Sequence, residues 1–265
     1  MAVEDQPRHV PHWGAAGGAL PAVLVHCTLA HGGEWKGVAR HLPGRRLVAP
    51  DLPGHGRNPP WAPADGDLHD LATRGIRAVV EAEGAPVHLV GHSFGATVAL
   101  RLALEAPDLV RSLVLIEPVL FALVRPEGRD AANRGFEAAW ATGDRDATAR
   151  AFLSVWGAGP AWEDLPERQR AYLRDRIHLV PGQNSVLHHD RPGLLRPGRM
   201  EALDRPVLLV DGGDSPPVAG EITARLAERL PDARRITVPG AGHMLPVTHA
   251  EALAGAIADF WATGA

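Results

Sequence analysis

Residues 87–106 have the sequence VHLVGHSFGATVALRLALEA, and this stretch decides the fold. Its first four residues, 87–90, are a short apolar run typical of a buried strand, and residues 94–106 favour a helix. Between them, Gly91 to Gly95 fit the pattern Gly-x-Ser-x-Gly around Ser93. The glycines permit a tight turn from strand to helix, which lifts the serine hydroxyl above the edge of a sheet. We predict that Ser93 is a nucleophile in such a turn; the alternative is a helix cap without chemistry.

Short apolar runs alternate with helical patterns on both sides of this stretch. The runs that predict strands are residues 22–25, 46–49, 87–90, 112–116, 207–210 and 235–238. The predicted helices cover residues 35–42, 67–83, 94–106, 219–230 and 249–261. Thr248 and Glu251 have the spacing of a capping box for the last of these helices. Strands that alternate with helices predict an α/β fold, with a mostly parallel sheet flanked by helices.

The alternation stops between residues 118 and 202. This segment has no clear strand, and its aromatic residues stand among helical patterns: Phe136, Trp140, Phe152, Trp156, Trp162 and Tyr172. We predict an α/β core of residues 1–117 and 203–265, with residues 118–202 inserted as a helical cap. Trp140 and Trp156 are candidates for substrate binding in an apolar pocket under that cap. The alternative is that such aromatic residues form the cap's own core.

The composition narrows the class of protein. Hydrophobic residues make up 45% and charged residues 22% of the 265, which is ordinary for a globular protein. The formal net charge of −4 argues against nucleic acid as a partner. No apolar stretch approaches the roughly 20 residues that span a membrane. Residues 1–5 lack the basic and apolar regions of a signal peptide, so we expect a cytoplasmic protein.

A serine nucleophile needs a base within hydrogen-bond reach. Among the 14 histidines, His243 is the best candidate, because it lies in a glycine-rich loop after the last predicted strand. Parallel strands end at the same edge of a sheet, so this loop and Ser93 are expected on one side. The alternative is a turn histidine that hydrogen-bonds to the backbone. Residues 188–190, His-His-Asp, have no third distant ligand, so we predict no metal site there.

Four motifs in this order resemble the α/β-hydrolase superfamily over about residues 20–261. They are residues 25–28 (VHCT), 51–56 (DLPGHG), 91–95 (GHSFG) and 240–244 (GAGHM). The resemblance implies a sheet of eight strands, with the first hairpin shortened or absent because little sequence precedes residue 22. It also implies a base at His243 and an oxyanion hole formed by the backbone N–H groups of Thr28 and Phe94. Cys27 stands where the family has glycine, and we interpret it as a packed residue.

The acid that orients His243 has two candidates. Most of the superfamily carries it after the strand that precedes Asp214, at the fourth position of a Gly-x-x-Asp pattern. Counted from Gly212, that position is Ser215, and Asp214 comes one residue early. Glu117 follows the preceding strand, where some relatives place the acid. We favour Glu117 slightly and keep Asp214 as the alternative.

These residues predict a hydrolase of an ester, thioester, lactone or related acyl compound that acts through a Ser-His-acid triad and an acyl-enzyme. The predicted partner is a small-molecule acyl substrate, with no cofactor and no metal; the oligomeric state stays open. Serine at the elbow argues against the dehalogenases and epoxide hydrolases of this fold, which use aspartate. A carbon–carbon bond hydrolase or cofactor-free perhydrolase uses the same residues and stays an alternative. So does a non-catalytic ligand-binding protein of the same fold.

Overall fold

The computed structural model describes residues 9–14, 20–84 and 86–264, so residues 1–5 lie outside the described ranges. Among the described residues, seven strands form a sheet: β1 (His12–Trp13), β2 (Ala22–Val25), β3 (Leu47–Val48), β4 (Val87–His92), β5 (Val110–Ile116), β6 (Val207–Gly212) and β7 (Ala233–Val238). Their order is β1-β3-β2-β4-β5-β6-β7. β1 pairs antiparallel with β3, and the other pairs are parallel. The predicted mostly parallel α/β fold is confirmed, and the described residues form seven strands instead of the eight that the resemblance implies.

Helices flank the sheet. They are α1 (Lys36–Arg40), α2 (Leu68–Ala82), α3 (Phe94–Glu105), α4 (Pro126–Ala141), α5 (Arg145–Trp156), α6 (Glu167–Arg176), α7 (Asn184–Leu187), α8 (Pro217–Arg229), α9 (Leu245–Thr248) and α10 (Ala250–Ala262). The chain between β5 and β6 is described throughout, and it contains α4–α7 and short 3-10 turns but no strand. In the described residues, no helix is long and apolar enough to cross a membrane.

Both faces of the sheet are covered by apolar side chains. In β2, Val23 and Val25 belong to one buried cluster, while Ala22 and Leu24 belong to another. Successive side chains of a strand point to opposite faces, so the two clusters lie on opposite sides of the sheet. Each fully buried Val or Leu side chain contributes about 1.5–3 kcal/mol, and covered faces are what a parallel sheet requires.

The segment between β5 and β6 has its own apolar packing. A separate buried cluster joins Ala149 of α5 and Leu173 of α6 to Trp162. Leu29, from the loop after β2, belongs to the same cluster. This packing fixes the segment against the loop that begins at the carboxyl end of β2.

The predicted capping box is wrong. Thr248 ends the separate short helix α9, and its hydroxyl donates to the carbonyl of Met244 at 3.2 Å. α10 begins only at Ala250, and its N-cap residue His249 makes no side-chain cap hydrogen bond. Thr248 therefore belongs to the end of one helix instead of the start of the next.

Close backbone approach explains the two glycines around Ser93. A Cβ atom on Gly91 would lie 2.3 Å from the carbonyl oxygen of Gly95. A Cβ atom on Gly95 would lie 2.3 Å from the carbonyl oxygen of Val25 and 2.5 Å from that of His26. Since these contacts are with backbone atoms, no side-chain rotation could relieve them. The turn after β4 therefore packs directly on the end of β2.

We predict that Gly95→Ala lowers the free energy of unfolding by about 3 kcal/mol, because the added methyl group must push apart two packed backbone segments. The measurement is urea unfolding followed by circular dichroism. Gly255→Ala is the matched control, since Gly255 lies exposed within α10 with no atom within 4 Å of the new methyl group. It should stabilise the protein by roughly 0.5–1 kcal/mol through helix propensity. Equal stability of the two variants would contradict the proposed contact.

Candidate active site

Ser93 occupies a strained turn between β4 and α3. Its backbone has φ 55° and ψ −117°, in the positive-φ region that non-glycine residues rarely adopt. The N–H of Ser93 donates to the carbonyl of Ile116 at 2.8 Å, which ties the turn to the end of β5. The side chain is 5% exposed and lies at the N-terminus of α3, where partial positive charge favours a developing anion.

His243 lies beside Ser93 in the loop that follows β7. Its Nε2 is 3.0 Å from Ser93 Oγ, and its Nδ1 is 3.0 Å from Glu117 Oε2. All three side chains are buried. Parallel strands deliver these residues to one edge of the sheet. With Nδ1–H donating to the carboxylate, Nε2 is free to accept the serine proton.

Glu117 is the carboxylate that the structure brings to His243. It follows β5 directly, with φ 49°, and its N–H donates to the carbonyl of Val210 at 2.8 Å. Glu117 Oε1 accepts from the N–H of Gly212 at 2.6 Å and from the hydroxyl of Ser215 at 2.8 Å. Burial works to raise the pKa of Glu117, but hydrogen bonds from His243, Gly212 and Ser215 lower it below its ordinary value. Glu117 is therefore ionised at neutral pH.

Asp214 takes a different place. It is exposed, and its backbone N–H donates to the carbonyl of Ala241 at 2.9 Å. Its carboxylate makes no hydrogen bond to His243, although both residues lie within the described ranges of the chain. The position where the superfamily pattern places its acid is held by Ser215, which donates to Glu117 instead. Asp214 stands one residue before that position, and it is exposed to solvent.

The imidazole of His243 is kept neutral by its surroundings. Burial lowers the pKa of His243 below its ordinary value of 6.5, while the hydrogen bond to Glu117 opposes that shift. The neighbouring His92 lowers it further. Trp156 packs edge-on against the His243 ring, with 4.8 Å between ring centroids. A neutral imidazole in contact with a serine hydroxyl can act as a general base.

Glu34 was not predicted from the sequence, and its carboxylate is linked to His243 through His92. Glu34 Oε2 accepts from the N–H of Cys27 at 3.0 Å, and Glu34 Oε1 contacts Nδ1 of His92. Nε2 of His92 lies 2.8 Å from the carbonyl oxygen of His243. An acidic residue inside the apolar, glycine-rich loop after β2 is the signal that could have identified Glu34.

Glu34 and His92 form a buried ion pair. Burial disfavours charge on both, but the Glu34 carboxylate raises the pKa of His92, and His92 lowers the pKa of Glu34. Both nitrogens of His92 then donate, one to Glu34 and one to the His243 carbonyl. Potential ligand atoms of Cys27, Glu34 and His92 lie within 4.8 Å of one another, but both Glu34 oxygens are already engaged. Burial and Glu34 raise the pKa of the Cys27 thiol well above its usual range, which keeps the thiol protonated.

Ser93 and His243 open into a cavity of about 70 Å³. Its walls are largely apolar and include Val119, Phe121, Phe136, Phe152, Trp156 and Leu187. Trp140 is not among the lining residues; it is 39% exposed and stacks on Phe136, with 6.2 Å between ring centroids. Of the two tryptophans predicted at the site, the structure brings only Trp156 to it.

The two predicted oxyanion residues are Thr28 and Phe94, and both lie at the site. Thr28 lines the same cavity as Ser93 and His243. Phe94 is the first residue of α3, so its N–H is among the N-terminal amides that have no partner within the helix. Backbone N–H groups are the kind of donor that stabilises a developing oxyanion.

Comparison with known proteins agrees with this architecture. The model of the alpha/beta hydrolase family matches residues 22–256. A pimeloyl-[acyl-carrier protein] methyl ester esterase of Methylococcus capsulatus is 34% identical over 254 residues, which cover 91% of this chain and 94% of that protein. The lipase LipV of Mycobacterium tuberculosis is 41% identical over 116 residues, 42% of each chain.

A solved structure gives the same picture of the fold. A thermophilic esterase from Thermogutta terrifontis superposes with a TM-score of 0.67 at 22% identity, covering 96% of this chain and 93% of that one. The family match begins at the first residue of β2 and ends within α10, so it spans the sheet from β2 to β7 and every residue of the site. The chain belongs to the alpha/beta hydrolase family.

Proposed function

We propose that this protein is a serine hydrolase that cleaves carboxylic esters through an acyl-enzyme. The observation that carries the proposal is the continuous hydrogen-bond chain from Ser93 Oγ through His243 to Glu117 at the wall of a buried cavity. The esterase and lipase named among the relatives support an ester as the substrate. Thioesters and lactones require the same attack on a carbonyl carbon and belong to the same proposal.

The proposed reaction has two halves. Ser93 Oγ attacks the carbonyl carbon while His243 Nε2 takes the hydroxyl proton, and the oxygen that becomes negative is held by the N–H groups of Thr28 and Phe94. The tetrahedral intermediate collapses, the bond to the alcohol breaks, and His243 returns the proton to the leaving alkoxide. Water then repeats the sequence on the acyl-enzyme and releases the acid. Glu117 keeps His243 in the required tautomer and stabilises its imidazolium form.

The helical segment between β5 and β6 is proposed as a cap that selects the substrate. It contributes Trp156 and Phe152 to the cavity wall, whereas Ser93, His243 and Glu117 come from the α/β core. An apolar wall over the triad strengthens the electrostatic interactions at the reacting carbonyl and favours an apolar acyl chain. The proposed partner is thus a small-molecule acyl ester.

The first test addresses the nucleophile. A fluorophosphonate probe should add once to the wild-type protein, as seen by intact mass, and should not add to Ser93→Ala. His243→Ala should lower kcat for p-nitrophenyl butanoate by roughly 10⁴-fold or more, since triad members act as a unit. An adduct of undiminished yield on Ser93→Ala would rule out the assignment. Absence of both labelling and turnover in the wild-type protein would favour a non-catalytic ligand-binding protein.

The second test addresses the acid. Glu117→Gln removes the charge that stabilises the imidazolium, and we expect kcat to fall by roughly 10³- to 10⁴-fold. Asp214→Asn is the matched control, because it makes the same chemical change on an exposed side chain and should alter kcat less than twofold. Circular dichroism checks that both variants fold. A larger loss of kcat in Asp214→Asn than in Glu117→Gln would reverse the assignment.

The third test uses pH. Activity requires neutral His243, so kcat/KM should fall as the pH drops through its pKa, with a midpoint below 6.5 because burial lowers that pKa. Trp156→Ala uncovers the imidazole, so the midpoint should move up towards 6.5. Trp140→Ala is the matched control, since Trp140 lies outside the cavity, and it should leave the midpoint in place. A wild-type midpoint above 6.5 would show that the charges of Glu117 and Glu34 outweigh burial.

A further inference from the structure

Gln183 is a buried polar residue in the wall of the same cavity. It ends the 3-10 turn Pro181–Gln183, directly before α7, and only 2% of its surface is exposed. It lines the cavity together with Ser93 and His243. The predicted triad and oxyanion hole give it no role.

One end of the Gln183 amide is fixed and the other has no partner. Gln183 Oε1 accepts from the hydroxyl of Thr28 at 2.9 Å. Gln183 Nε2 is buried, and no acceptor lies within hydrogen-bond distance of it in the described protein. A buried donor without an acceptor costs about 1–3 kcal/mol, so such groups normally have a partner in the functional complex. The N–H₂ group is therefore an unpaired donor on a side chain that lines the cavity.

Thr28 sets where that donor lies relative to the reaction. The backbone N–H of Thr28 is a proposed oxyanion donor, and its side-chain hydroxyl holds Gln183. The amide of Gln183 is thus one side chain away from the carbonyl group under attack.

We propose that Gln183 Nε2 binds a second oxygen atom in the acyl part of the substrate. The substrate class is then acyl esters with a keto, ether or hydroxyl oxygen a few atoms from the scissile carbonyl. This inference rests on the proposed ester hydrolysis. A site built to hydrogen-bond a substrate group discriminates strongly against the analogue that lacks it, because its own polar group is then left unpaired.

The experiment compares esters of matched shape. Three pairs of p-nitrophenyl esters differ by one oxygen in place of one CH₂: methoxyacetate and butanoate, 3-methoxypropanoate and pentanoate, 4-methoxybutanoate and hexanoate. For each pair the measured quantity is the ratio of kcat/KM for the oxygen-containing ester to that for the alkyl ester. Dividing the wild-type ratio by the variant ratio cancels the intrinsic reactivity of the two esters.

In at least one pair, Gln183→Leu should lower this ratio by roughly tenfold, which corresponds to one lost hydrogen bond. Gln169→Leu, the same change at an exposed glutamine outside the cavity, should leave it unchanged. Thr28→Val should also lower the ratio, because the Gln183 amide loses its anchor. Thr28→Ser keeps the hydroxyl, so its ratio should equal that of the wild type. If Gln183→Leu does not fold, Gln183→Met provides the same loss of the amide with an unbranched side chain.

A purely structural role for Gln183 would lower kcat/KM equally for both members of each pair. Ratios that are the same in wild type and Gln183→Leu for all three pairs would therefore overturn the inference while leaving ester hydrolysis in place. Failure of the wild-type protein to hydrolyse any of the six esters or to react with the fluorophosphonate probe would overturn both proposals together. A fall of the ratio in one pair alone supports a donor that lies as far from the scissile carbonyl as the ether oxygen of that ester.

Discussion

The turn at Ser93 is the constraint on which the rest of the site depends. Its φ of 55° costs of order 1–3 kcal/mol for a residue with a side chain, and the surrounding packing must hold it there. Gly95 approaches the carbonyls of Val25 and His26 so closely that the turn and the end of β2 form one unit. The loop that carries Thr28 begins at that same point. The close contact at Gly95 therefore also fixes how far Ser93 lies from the loop that contains Thr28.

Glu34 connects this unit to His243. Its carboxylate binds the N–H of Cys27 on one side and His92 on the other, and His92 reaches the carbonyl of His243. Loss of one partner of a buried ion pair leaves an uncompensated charge, which is far more costly than loss of a surface pair. The pair thus couples the backbone next to Thr28 to the backbone of His243. His243 is held through its main chain by this pair and through its ring by Glu117.

The sequence was sufficient for the sheet strands and for the turn at Ser93, whose signals are local. Alternating apolar runs predicted β2 to β7, and the glycine spacing around Ser93 predicted the strand-turn-helix, because both follow from backbone geometry within a few residues. Glu34 and Gln183 were missed because their roles depend on contacts with residues 58 and 155 positions away. Trp140 and Trp156 look alike in sequence, yet only Trp156 reaches the cavity. Which side of a helix faces a site depends on how the helix packs, and no local pattern fixes that.

The division of labour between the α/β core and the inserted helices follows from these contacts. Ser93 and Glu117 directly follow sheet strands, and His243 lies in the loop after β7. Gln183 and Trp156 come from the helical segment between β5 and β6, which meets the core through the loop that contains Thr28 and Leu29. Substitutions in that segment therefore change the wall of the cavity, while Ser93, His243 and Glu117 belong to the α/β core. Thr28 is where the two functions meet, since its main chain belongs to the proposed chemistry and its side chain to the proposed selection of substrate.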